Sequence, residues 1–138
     1  MKKYSLIVFL FFGMLTLSAC GSSSTNVTTD EVITAFKDAG LEAENPTDLD
    51  QSEFGNIREE GKRIIVPTLG EDAGGRLFRF NNQDDLEQAK SYYDEISNSA
   101  PIFFSHTYAK GEFLIQMNGD MEDAEFEKYK EVMDEVIK

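Results

Sequence analysis

Four sets of residues in this chain have types and spacings on which chemistry could be built. His106 is the single histidine and Cys20 the single cysteine. Nucleophilic catalysis needs a Ser, Thr or Cys activated by a neighbouring base, and no nucleophile-elbow pattern is present. One histidine and one cysteine are also too few for a zinc site of nitrogen and sulfur ligands. His106 therefore reads as a structural polar residue on a strand. Asp48, Asp50 and Ser52, with Glu59 further along, approximate the spacing of a calcium loop. Glu53, however, stands where that loop needs glycine for its sharp turn. The stretch from Gly70 to Gly75 lacks the Lys-Ser/Thr pair of a phosphate loop, and Glu71 and Asp72 within it repel phosphate. It reads as a hairpin loop that glycine permits. No two carboxylates can be argued to flank a substrate. The expectation is a protein with no enzymatic activity, no cofactor and no metal.

Cys20 is the residue with a defined chemistry. It follows Leu17, Ser18 and Ala19 at the end of an apolar run, LIVFLFFGMLTL, that is itself preceded by Lys2 and Lys3. As a helix that run spans about 18 Å, well short of a hydrocarbon core of roughly 30 Å. A basic start, a short apolar run and small residues at its end make a signal peptide and not a membrane span. Leu17-Ser18-Ala19-Cys20 resembles the bacterial lipobox at all four positions. That resemblance implies diacylglyceryl transfer to the Cys20 sulfur and cleavage before it. The lone cysteine is then a thioether and not an exposed reactive thiol. Two acyl chains anchor stably where one binds reversibly. The expected organisation is a signal peptide over 1–19, a lipidated cysteine with a flexible Ser/Thr-rich tether over 20–28, and one acidic domain over 29–138. Asn26-Val27-Thr28 formally matches a glycosylation acceptor and reads as linker. The expected location is the extracytoplasmic side of the cell membrane, on its outer leaflet.

Charge narrows the partners. The chain has 13 Lys and Arg against 26 Asp and Glu. Lys2 and Lys3 are the only charged residues before Cys20, so the mature part has 11 bases, 26 acids and a net charge of −15. Nucleic acid is excluded as a partner, because phosphate binding needs clustered Lys and Arg. Docking on anionic lipid through bulk charge is disfavoured too. The expected partners are the membrane, through the lipid on Cys20, and another envelope protein.

The elements that would hold any site follow from periodicity. Thr28 and Glu31 form a capping box, Val32, Ile33 and Phe36 follow at helical spacing, and Gly40 stops a helix over about 29–39. Residues 41–62 read as loop, with a turn at Asn45-Pro46 and room for a short helical turn near 48–54. Strands are expected over 62–66, 76–80, 102–109 and 112–117. Leu86, Ala89, Tyr93 and Ile96 make one helical stripe, and Phe126, Tyr129, Met133 and Val136 another. The fold class is therefore α+β. An N-terminal helix precedes two strand-strand-helix units, which form a four-stranded, mainly antiparallel sheet with helices packed on one face. An offset of 37 residues aligns Gly74 with Gly111, Leu77 with Leu114, Asn81 with Asn118 and Tyr92 with Tyr129, a hint of duplication. Alternation puts Phe78, Phe80, Phe113, Ile115 and Met117 toward the helices. Leu77, Arg79, Leu114 and Gln116 then look away, on a sheet face that is either half-wet, covered by the first helix, or a contact surface for which these residues are the candidates.

Residues 36–46 (FKDAGLEAENP), 70–76 (GEDAGGR) and 92–94 (YYD) look like those of a family of short Gram-positive surface lipoproteins. The resemblance covers most of the mature chain and implies a location but no activity. Small lipoproteins of mobile elements that exclude further DNA transfer are similar in size and anchoring. The expected function is a non-enzymatic interaction module at the cell envelope. The alternatives are a lipoprotein that binds a small ligand or divalent cation, or one of the exclusion type.

Overall fold

A computed structural model of the protein describes residues 26–138; Leu17, Ser18, Ala19 and Cys20 lie outside them. The first element is α1, Thr29–Asp38, and its capping box is formed as the sequence predicts. Thr28 Oγ1 accepts from the Glu31 amide at 3.2 Å, and Glu31 Oε2 accepts from the Thr28 amide at 2.7 Å. After Gly40, at φ +81°, come β1, Glu44–Asp48, and β2, Arg58–Ile65. A one-turn 3-10 helix at Pro67–Leu69 leads to β3, Gly74–Phe80, and then α2, Gln83–Ser99. A second 3-10 turn, Pro101–Phe103, leads to β4, Ser105–Lys110. β5, Phe113–Asn118, and α3, Asp123–Val136, complete the order.

The α+β class stands, and the N-terminal helix and the two strand-strand-helix units (β2-β3-α2 and β4-β5-α3) are present. The sheet, however, has five strands, in the order β1-β2-β3-β5-β4, with every neighbouring pair antiparallel. The additional strand is β1. It lies in the stretch expected to be loop, because all five of its residues are exposed and it contains Pro46. An edge strand of this kind has no apolar alternation to betray it, and Pro is tolerated there. Its pairing with β2 is broken by a register shift between Glu44 and Thr47, and Asn45 takes a positive φ of 45°.

The helices do not share a face. α1 and α3 pack on one side, where Val32, Ile33 and Phe36 meet Leu77, Phe113, Ile115, Met117, Tyr129 and Met133. Phe36 and Tyr129 meet edge to face with centroids 5.1 Å apart. The Tyr129 hydroxyl donates to the Glu42 carbonyl at 2.7 Å, and burial pushes its ionisation upward. α2 covers the other side, where Leu86 and Ala89 lie over Phe78, Phe80 and Leu114. Register explains the correction. Leu77 stands opposite Ile115, Phe78 opposite Leu114 and Arg79 opposite Phe113, and directly opposed residues share a face. Phe78 therefore cannot share a face with Phe113 and Ile115.

The proposed outward surface of Leu77, Arg79, Leu114 and Gln116 dissolves for the same reason. Leu77 and Leu114 are both 0% exposed, and they belong to different layers of core. Arg79 shares the α1–α3 face with Leu77, and Gln116 is buried on the α2 face. The hint of duplication meets the same obstacle. Two like units joined antiparallel through their second strands would be related by a twofold axis normal to the sheet. That operation keeps both helices on one face, whereas α2 and α3 lie on opposite faces.

Candidate functional site

The residues singled out for chemistry are spread over the molecule. Nε2 of His106 donates to the Met121 carbonyl at 2.8 Å, which fixes the proton on that nitrogen. The ring stacks on Phe126, with centroids 4.8 Å apart, and Phe104 meets it edge-on at 5.0 Å. Nδ1 faces the exposed Asp123 carboxylate at 3.7 Å. The carboxylates of the calcium-like spacing each have another partner. Asp48 pairs with Lys62 at 2.8 Å, and this bond from Lys62 draws its ionisation below the usual carboxylate range. Asp50 accepts from the Ser52 amide at 2.9 Å, and Glu59 pairs with Arg79 at 2.6 Å. Among the described residues no group of three or more His, Cys, Asp and Glu is placed to hold a metal ion.

Arg79 belongs to a clasp that fixes where the tether enters the domain. Its guanidinium donates to the Val27 carbonyl at 2.9 Å and pairs with Glu59, while Glu60 accepts from the Thr29 amide at 2.8 Å. Asp94 on α2 has a comparable local role. Burial raises its ionisation, but bonds from Lys90 and Thr107 outweigh it and leave the carboxyl below the usual range.

A further concave site, among the described residues, lies on the α2 side of the sheet. It is an open groove of about 1070 Å³ at the end of the sheet where β3 begins and β5 ends. Its floor is made by Gly74, Gly75, Arg76 and Gln116. The two glycines are required by close approach. A Cβ on Gly74 would lie 2.0 Å from the Ile64 carbonyl oxygen, and one on Gly75 would lie 2.3 Å from that of Gln116. Gly74 shares the face of Arg76 and leaves the floor without a side chain there, whereas Gly75 faces Met117 on the α1–α3 side. Arg76 reaches Gln116 Oε1 at 3.3 Å and is ion-paired with Glu53. The floor therefore presents a neutralised pair, and Glu53 is committed to Arg76 and not poised as a free acid or base.

One wall comes from the second half of α2 and from the turns before β2. Phe54 is held at positive φ, 61°, and its ring meets Tyr92 at 5.4 Å and Tyr93 at 6.0 Å. Burial among these rings pushes the Tyr93 hydroxyl up to about 12, the nearby Arg76 charge only partly opposing it. The other wall is the segment between α2 and β4. Pro101 opens a helical turn there, in which the Phe103 amide bonds to the Ala100 carbonyl and that of Phe104 to Pro101. Ser97 Oγ accepts from the Ser105 amide at 3.1 Å and ties the start of β4 to α2. The expected strand over 102–109 therefore begins only at Ser105, and the residues before it are turned outward. Ile102 is 85% exposed, Phe103 57% and Phe104 48%, and Tyr92 on the facing wall is 52% exposed. Among the described residues these four are the exposed large hydrophobic side chains, and all four border the groove. Sequence reasoning missed them as a site. The available signal was Pro101 directly before an apolar triplet, which marks the first position of a helical turn better than a strand.

Chemically, the groove is lined mostly by polar and charged groups, with the exposed apolar side chains of Tyr92, Ile102, Phe103 and Phe104 along its walls. It suits recognition of an apolar group with a few hydrogen bonds beneath it. The chain finds no match among protein-family models, curated proteins or solved structures.

Proposed function

We propose that the protein is an extracytoplasmic lipoprotein, held on the outer leaflet through diacylglyceryl on Cys20, and that its acidic domain is a non-enzymatic interaction module for another envelope protein. The observation that carries the module is the convergence of Tyr92, Ile102, Phe103 and Phe104 on one groove. Isolated exposed hydrophobic residues need no explanation, but a contiguous patch around a concavity marks a contact site. The committed Glu53–Arg76 pair and the enclosed His106 favour binding over catalysis. The anchor rests on Leu17-Ser18-Ala19-Cys20 behind its short apolar run.

Two measurements test the two halves separately. Cys20→Ala should remain unprocessed or move from the membrane to the soluble fraction; unchanged mass and partitioning would refute the anchor. A photo-cross-linking residue in place of Phe103, in cells, should join the protein to one discrete envelope protein. The same probe at Glu87, on the exposed surface of α2 away from the groove, should not. Equal or absent cross-linking at both positions would refute the module.

A further inference from the structure

We infer that the groove takes a cationic segment of a partner protein carrying an aliphatic or aromatic side chain, and that the segment arrives from the side of the domain remote from the membrane. This rests on the anchored-module reading above and deepens it.

Place in the fold supplies the direction. The clasp binds Val27 and Thr29 through Arg79 and Glu60, at the end of the sheet where β3 finishes and β2 starts. The groove lies at the other end of the same strands, where Gly74, Gly75 and Arg76 open β3. It also lies on the other face, because Arg79 shares the α1–α3 side and Gln116 the α2 side. Only the residues between Cys20 and Val27 separate the lipid from the clasp, a reach of at most about 25 Å fully extended. A domain of this length is about 35 Å across. The anchor thus holds the clasp end nearest the bilayer and presents the groove outward.

Charge supplies the chemistry. A net charge of −15 on the mature chain repels an anionic bilayer and repels a second copy of itself. Lipid and self-association are therefore poor occupants of an apolar rim that needs covering. At the lip of the groove, exposed Asp72 and Asp120 have no ion-pair partner within 4 Å among the described residues. The cation on the same lip is Arg63, whose guanidinium donates to the Asp72 backbone carbonyl at 2.7 Å and offsets one of these two charges, which leaves the lip with a net negative charge. On the floor, Arg76 is neutralised by Glu53. An incoming Lys or Arg beside an apolar side chain meets the long-range field of the domain and the two free carboxylates, while its apolar neighbour enters between Tyr92 and Phe103.

The test uses the full chain in detergent micelles and three fluorescent peptides. They share one Phe-Leu core and differ only in their flanks, which are lysine, glutamine or glutamate. Anisotropy should show the lysine peptide binding about tenfold tighter than the glutamine peptide at low salt, with the gap closing as salt rises. The double variant Ile102→Ser, Phe103→Ser should abolish binding at an unchanged melting temperature, because both side chains are in solvent. Asp72→Asn with Asp120→Asn should narrow the lysine preference without touching the apolar contact. If the glutamine or glutamate peptide binds as well as the lysine one and the double variant abolishes it, the cationic partner is refuted and the groove reading survives. If no peptide binds, or the double variant binds as the wild type does, the peptide-binding inference is refuted, and cross-linking at Phe103 then decides the module separately. Preferential binding of a peptidoglycan-derived glycan fragment would overturn the protein partner.

Discussion

Tyr93 links the groove to the fold through one titration. Its hydroxyl ionises at about 12 instead of 10.0, chiefly because burial disfavours the phenolate. The folded protein therefore holds this proton more tightly than the unfolded chain does. The associated stability is fully present below pH 10 and is lost as the pH rises through 12. Tyrosinate absorbance should show a late step near pH 12 that disappears in Tyr93→Phe, and the variant should lose less melting temperature than the wild type between pH 10 and 12. A variant that titrates like the wild type would show that Phe54 and Tyr92 do not enclose the ring. Burial moves Tyr129 in the same direction, so alkaline destabilisation should shrink in Tyr93→Phe without vanishing. His106 illustrates a different lesson at this scale. A lone histidine on a strand is here a packing residue, with one nitrogen committed to Met121, one ring face stacked on Phe126 and Phe104 in edge contact.

At the scale of elements, β3 and β5 decide the architecture. Phe113, Leu114 and Ile115 are consecutive and all 0% exposed, as are Leu77 and Phe78. Consecutive buried residues on a strand mean that both faces are covered, whereas a half-wet sheet alternates. The runs FLI and LF carry that signal, and period-two alternation alone does not use it. The two-sided burial has a direct consequence. Leu77→Ala and Leu114→Ala should each destabilise the protein by about 2–5 kcal/mol, with costs close to additive because the two side chains sit in different core layers. Urea denaturation of both single variants and the double variant measures this. Changes of a few tenths of a kcal/mol would restore the solvent-facing surface that alternation implied. The segment between α2 and β4 teaches the converse. Its apolar triplet is not a strand, since Pro101 and the bond from Ser105 to Ser97 turn the chain before the ladder starts.

The whole molecule is dominated by its charge. Ion pairs such as Lys62–Asp48, Lys90–Asp94 and Lys110–Asp134 use up many of the cations, while the excess acids repel one another across the surface. Screening relieves that repulsion, and the surface pairs it weakens are individually worth little. The melting temperature should therefore rise by a few degrees between low and physiological salt. A fall would mean that specific ion pairs outweigh the net field. The same charge opposes self-association through the exposed rim of the groove, which an apolar patch on a neutral domain would invite.

Much was legible in the sequence alone. The capping box at Thr28 and Glu31, the stripes of α2 and α3 and the hairpin between β4 and β5 rest on neighbouring residues and need no partner to be read. The net charge is likewise a property of the chain and not of its folding. Tertiary structure decided the rest, because strand alternation says only that adjacent side chains point opposite ways. Which helix covers which face depends on the register of β3 against β5 and on where α2 and α3 cross. β1 exists only through its pairing with β2, having no apolar pattern of its own. The groove belongs to this second class. Tyr92, Glu53, Arg76 and Phe103 lie on four separate segments, and only packing α2 over one end of the sheet brings them to one surface.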